Sequence, residues 1–168
     1  MAMQPDTPPH IETPGRLYVV REAGDIFEEV VDRISNSGVV GLSLEGEMLG
    51  REGVLCWVNI FNTRDVFMFD IITLGEQTFN FGLRSVLQDS ELKKVVHDDC
   101  RQVNDCLTHQ WSVTLSNVWD TMAGDMVFST QHVYDGFVPQ YARSLAYPLK
   151  DYLAFDSSIW QSRPSPPI

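Results

Sequence analysis

Three short apolar runs, at residues 39–44, 54–61 and 66–72, are separated only by the stretches 46–53 and 62–65, and they constrain the fold more than any other feature. Connections that short leave no room for a crossover, so neighbouring runs must turn back on one another as an antiparallel meander. Ahead of the meander, the apolar run at 17–20 reads as an edge strand. Ala23, Ile26, Phe27, Val30, Val31 and Ile34 then repeat at the spacing of one buried helical face, and Asn36-Ser37-Gly38 stops that helix. Beyond Gly75 the helical period returns with Phe79, Leu83, Val86 and Leu87 on one face. A strand at 94–97, a helix over about 101–111, a strand at 113–118 and a helix from about Thr121 follow in alternation. Three antiparallel strands and then βα units give an α/β fold: a mixed sheet with helices on both faces.

The ends read differently. Residues 1–15, rich in Pro, Thr and Asp, are expected to be a disordered leader, and 157–168, with Pro164, Pro166 and Pro167, an extended tail. Between them, 16–156 reads as a single domain, which suits a chain of 168 residues. Residues 138–153 look helical, with Pro139 in a first turn and Pro148 bending or interrupting the helix. No run approaches the roughly 18 apolar residues that span a bilayer. The polar, Pro-rich opening after Met1-Ala2-Met3-Gln4 is not a signal peptide. Cys56, Cys100 and Cys106 lack CxxC spacing and sit among apolar neighbours, so we expect thiols in a reducing compartment and no zinc site. The net charge of −11, from 12 basic and 23 acidic residues, argues against strong general binding of phosphate backbones.

Several segments resemble the DEDD family of 3'–5' exonucleases, ribonuclease D type, over about residues 17–128. The strand Gly38-Val39-Val40-Gly41-Leu42-Ser43-Leu44-Glu45-Gly46 is similar to the family's first strand, which carries Asp-x-Glu. Leu55-Cys56-Trp57-Val58-Asn59-Ile60, then Phe69-Asp70-Ile71 and Leu74-Gly75, resemble the next two strands. Residues 92–97 with Arg101 and Leu107 resemble the second motif. Val118-Trp119-Asp120-Thr121-Met122-Ala123-Gly124-Asp125 resembles the apolar-Asp-Thr-x-x-Ala-Asp segment. Leu-Cys-Trp, Phe-Asp-Ile-x-x-Leu-Gly, His97-Asp98 with Cys100-Arg101 after it, Asp105-Cys106-Leu107, and Trp160 with Arg163-Pro164 are similar to one subfamily, the exonuclease-domain-containing protein 1 group of the germline piRNA pathway. The resemblance implies a ribonuclease H-like sheet and two-metal phosphodiester chemistry in active members.

That chemistry needs several carboxylates converging on two hard cations. The resemblance implies Asp and Glu on the first strand, Asp on a middle helix and Asp on a late helix. Here Ser43 stands at the first Asp position and Glu45 is retained. The middle position falls on Gln102 or Val103, depending on whether the count starts from His97 or from Cys100-Arg101. Val103 shares a face with Cys106, Leu107 and Gln110, so core packing is its simpler role. Asp98 and Asp99 suit a turn and a helix cap, and Asp120 before Thr121 reads as an N-cap. Histidine is a common general base, but His97 has no nucleophile partner in the sequence pattern, so a hydrogen-bonded strand end is its plainer reading. Tyr147 to Asp151 matches the late Tyr-x-x-x-Asp pattern but encloses Pro148 and is not credited; the late helix is expected to lie beyond the chain.

The expectation is a pseudo-exonuclease, not an enzyme, with no cofactor and no metal, acting as an adaptor. RNA binding is implied by the resemblance, weak and non-specific, through Arg51, Lys93, Lys94 and Arg101. The resemblance also implies tudor-domain and other piRNA-pathway proteins as partners, a cytoplasmic site in the germline and homodimerisation, for which the edge strand, Phe61 and Trp160 offer surfaces. Two alternatives stand beside it: a weakly active metal-dependent 3'–5' exoribonuclease using Glu45, Asp98 or Asp99 and Asp120, and a protein-interaction domain without RNA contact.

Overall fold

The computed structural model of the chain describes residues 15–97, 100–132, 136–137 and 143–155. These fall into two compact units, one ending at Thr121 and the other beginning at Met122. The expected tail, Trp160, Pro139, Asp98 and Asp99, and all of the expected leader but Gly15 lie outside the described residues.

The unit ending at Thr121 contains β1 (Leu17–Val20), α1 (Asp25–Ser35), β2 (Val39–Glu47), β3 (Val54–Phe61), β4 (Val66–Asp70), α2 (Ile71–Leu74), α3 (Arg84–Gln88), β5 (Lys93–Val96), α4 (Cys100–Trp111) and β6 (Val118–Asp120). The six strands form one sheet in the order β1-β4-β3-β2-β5-β6. The expected meander is present: β2 pairs antiparallel with β3, and β3 with β4. The other neighbours pair parallel. Each helical connection, from β1 to β2, from β4 to β5 and from β5 to β6, therefore joins parallel strands and steps across the sheet in the same direction. Right-handed crossovers that all step one way deliver their helices to one face. The core agrees: Phe27, Val30 and Ile34 of α1, Val86 and Leu87 of α3, and Val103, Cys106 and Leu107 of α4 share one cluster with Leu42, Leu44, Val58, Phe67 and Phe69 of the sheet. Within this unit no described helix covers the other face.

Periodicity placed these elements, and the exceptions have local causes. Ile26, read as part of the buried face of α1, is exposed, because it stands in the first turn ahead of the first core contact at Phe27. Phe79, Leu83, Val86 and Leu87 are all buried as expected, yet they do not lie on one continuous helix. Gly82 breaks it with φ +134°, and a Cβ there would lie 2.9 Å from a Val31 methyl, so only glycine lets this segment close on α1. The last strand is 118–120 and not 113–118. Val113 is buried, but its N–H returns to the carbonyl of Leu107 and its own carbonyl accepts from the Thr108 hydroxyl. The apolar run at 113–115 thus closes the end of α4 before the chain reaches the sheet.

The unit beginning at Met122 comprises the helix α5 (Thr121–His132), which continues directly from β6, and α6 (Ala146–Leu153). Asp125, buried on α5, is held by Arg143 through Nε at 2.9 Å and through a second guanidinium nitrogen, and by the Tyr152 hydroxyl at 2.6 Å. Arg143 Nη1 also reaches Asp151 at 2.6 Å, and Phe128 packs edge-on against Tyr152 at 5.4 Å. The hydrogen bond to Asp125 and then that to Asp151 hold the Arg143 guanidinium protonated beyond its ordinary range, while burial and Asp125 push the Tyr152 phenol up. Pro148 does not interrupt a helix. It stands in the first turn of α6, where its missing N–H has no intrahelical partner to lose.

Candidate functional site

Alternation along β2 divides its side chains between two environments. Val40, Leu42 and Leu44 enter the core, whereas Gly41, Ser43 and Glu45 line the uncovered face. Register extends that face across the sheet: Ser43 lies opposite Asn59 and Glu45 opposite Trp57 on β3, while Gly41 stands beside Val95 on β5 and Val95 beside Trp119 on β6. Asn59 Nδ2 donates to Ser43 Oγ at 3.4 Å, so the hydroxyl is engaged by a neutral amide. At Glu45 the ladder slips: Glu45 pairs with Trp57 and Gly46 with Leu55, which leaves Cys56 as an extra residue in β3. A bulge of this kind bends the strand and raises its twist, and here it does so beside the retained carboxylate.

The tip of the β2–β3 hairpin is fastened to α4. Gln110 Nε2 donates to the carbonyls of Gly50 at 2.5 Å and Gly53 at 3.0 Å, and Arg51 Nε pairs with Asp105 at 3.1 Å. Gly53 permits this turn, since a Cβ there would lie 1.9 Å from the Met48 carbonyl oxygen. On α4, Val103 is 0% exposed and belongs to the core, whereas Gln102 points to solvent. Asp98 and Asp99 are outside the described residues.

His97 is better organised than its sequence context suggests. The Thr121 hydroxyl donates to the Val96 carbonyl at 3.0 Å and lies 2.9 Å from His97 Nδ1. A hydroxyl has one proton to give, so it must accept from Nδ1–H. That puts a proton on Nδ1, and Nε2 is buried with no hydrogen-bond partner among the described residues. The signal in the sequence was the Asp120-Thr121 pair, read only as a cap. In the other unit, Tyr147 is exposed and Asp151 is engaged by Arg143.

The cations expected to meet RNA do not form one strip. Lys93 lies on the uncovered face with Nζ 4.7 Å from the centre of the Trp119 ring. Arg51 is on the hairpin tip, paired with Asp105. Arg101 is exposed on α4 and rims a shallow cavity of about 620 Å³ that also carries Asp105 and Asp120. Lys94 must be withdrawn as an RNA contact. Its register partner is Val40, on the core side, and it is 0% exposed, with Nζ donating to the carbonyls of Leu92 at 2.9 Å and of Asp89. Burial, partly offset by Asp89, lowers its pKa.

Two-cation chemistry asks this site for converging negative oxygens. The family positions supply one hydroxyl bonded to an amide, one carboxylate and, at the middle position, either an exposed amide or a buried isopropyl group. Among the described residues no three His, Cys, Asp or Glu side chains converge on a point that would hold a metal ion. Among the described residues the donor set at these positions does not fit a pair of divalent cations.

Residues 18–163 match the 3'-5' exonuclease family. The chain belongs to that family. Over 158 residues this exonuclease-family chain is 34% identical to piRNA biogenesis protein EXD1 of Mus musculus, a match covering 84% of this chain and 27% of the mouse protein. It is 33% identical over 135 residues to piRNA biogenesis protein EXD1 of Homo sapiens, covering 80% and 26%. The chain thus spans about a quarter of the length of these relatives. Its fold is similar to that of Trypanosoma brucei RNase D in complex with GMP, with TM-score 0.73 and 21% identity over 88% of this chain and 44% of that one. The expected ribonuclease D-like mixed sheet is therefore the observed one. Among the described residues no helix is long and apolar enough to cross a membrane.

Proposed function

We propose that this chain is a catalytically inactive member of the 3'-5' exonuclease family, an RNA-binding adaptor for protein partners in germline piRNA production. The observation that carries the reading is the set of side chains at two carboxylate positions: Ser43, bonded to Asn59, at the first, and at the second either Gln102, exposed, or Val103, sealed in the core. One acid at Glu45 neither neutralises two cations nor holds a metal-bound nucleophile. The pathway is supported by the names of the relatives; tudor-domain partners, a cytoplasmic location and homodimerisation are supported by resemblance alone. The overall charge of −11 makes RNA affinity weak and strongly salt-dependent, because few cations are available to release counterions.

The test is end-labelled single-stranded RNA incubated with Mg²⁺ or Mn²⁺, comparing wild type, Glu45→Ala, Ser43→Asp and Ser43→Asp with Val103→Asp. All four are expected to leave the RNA intact. Adding a carboxylate at Ser43 sets two acids side by side and raises a pKa without supporting a second cation. Trimming from the 3' end by wild type that vanishes in Glu45→Ala would make the chain an active exonuclease. Absence of any RNA association at low salt would leave a protein-interaction domain.

A further inference from the structure

We infer that the uncovered sheet face is a stacking platform for the bases of single-stranded RNA, with Trp119 and Trp57 as stacking surfaces and Lys93 and Arg21 as phosphate contacts. The inference rests on the RNA-binding reading above and names the surface and the mode.

Topology makes the platform available. The crossover helices of this unit pack on the opposite face, so the side chains of Trp57 and Trp119 are not in the core cluster. Trp119 is 62% exposed, an unusual position for the largest apolar side chain at a sheet edge. Each indole is accompanied by a cation. Lys93 Nζ lies 4.7 Å from the Trp119 ring centre, and Arg21 Cζ lies 5.8 Å from that of Trp57, with the Arg21 side chain 64% exposed. Aromatic rings that accept a base, flanked by cations that track the backbone, are the elements of sequence-tolerant single-strand binding.

Spacing and charge point the same way. Trp57 on β3 and Trp119 on β6 are separated by β2 and β5, and register sets Trp57 level with Glu45 but Trp119 level with Gly41, so three interstrand steps and four residues along the strand place them roughly 20 Å apart. A strand reaching from one to the other passes over Ser43 and Glu45. In a metal-bearing relative, cations would shield phosphates from the acids there; in this chain the hydroxyl at Ser43 removes one of those acids outright. The face carries Arg21 and Lys93 against Glu45, Glu47 and Asp70, and Asp70 is already occupied by Arg21 and the Thr73 N–H. Two cations against three acids leave it one charge from neutral on a chain of net charge −11. A dry protein interface would strip water from both cations, whereas phosphates replace that water with charge-assisted contacts.

The experiment is anisotropy of labelled oligoadenylate and oligouridylate titrated with the full chain at two salt concentrations, using wild type, Trp119→Ala, Trp119→Tyr, Trp57→Ala and Lys93→Ala. Thermal melts check that each variant folds. Trp119→Ala and Trp57→Ala are each expected to weaken binding about 5- to 100-fold, with Trp119→Tyr keeping most of the affinity. Lys93→Ala should reduce the slope of log affinity against log salt by about one. Wild-type binding that survives both tryptophan substitutions unchanged overturns the platform and leaves the RNA-binding reading standing. A wild-type chain that binds neither oligonucleotide overturns that reading itself. Unchanged RNA affinity in Trp119→Ala, with loss of self-association by light scattering, would assign the face to a second copy instead.

Discussion

Lys94 illustrates how a single side chain changes meaning between sequence and structure. Beside Lys93 it reads as half of a basic pair, but strand alternation turns one outward and the other into the core. Its ammonium ties the carbonyls of Asp89 and Leu92, and so closes the loop between α3 and β5. Burial lowers its pKa from the ordinary 10.5. Below the folded value both states are protonated, and the fold bears the whole cost of a buried charge. Between the folded value and 10.5 the unfolded chain binds the proton more, so stability rises with pH in that alkaline window. Lys94→Met leaves two carbonyls unsatisfied and should destabilise the chain by about 1–3 kcal/mol at neutral pH. Urea melts taken from neutral pH to about pH 10 should show the wild type gaining on the variant as pH rises. A constant gap would mean that the ammonium is not the titrating group. RNA affinity should not change.

At the scale of elements, the pair α5 and α6 depends on polar contacts more than on an apolar stripe. Asp125 binds Arg143 and Tyr152, and Arg143 also binds Asp151. Removing one partner of a buried ion pair costs about 3–5 kcal/mol, and partial solvation of Arg143 reduces that to about 2–3 kcal/mol for Asp125→Ala. Chemical denaturation should register the loss, and Asp151→Ala, at the exposed end of the network, should cost under about 1 kcal/mol. Equal costs would move the weight of the network away from Asp125. Strong periodicity made α1, α4 and the meander legible in the sequence. What escaped was set by contacts distant along the chain: the break at Gly82 depends on Val31, and the burial of residue 113 depends on α4. Pro148 was read as an interruption because the start of its helix carries no capping side chain to announce it.

Across the whole molecule, the strand positions of the site, Ser43 and Glu45, were legible because a two-residue spacing on one strand fixes the face they share. The middle position was not fixed, since two counts gave Gln102 or Val103, and neither is a carboxylate whether it faces solvent or the core. The platform residues were also hidden, because Trp57 and Trp119 meet on one surface only through the strand order. A fold that needs no cation should be indifferent to chelation: the melting temperature should stay within about one degree on adding chelator or excess Mg²⁺, where a binding site would shift it by several degrees through mass action. A shift of that size, abolished in Glu45→Ala, would reveal a metal site after all. The one-sided placement of the crossover helices has a final consequence. The crossover helices that pack on the sheet in this unit lie beneath it, so exposed side chains on its other surface can change identity with less penalty to folding than those in the core. In such an architecture chemistry and stability are written on opposite sides of the same strands. A change to one leaves the other intact, so such a surface can take a different ligand while the chain beneath it stays the same.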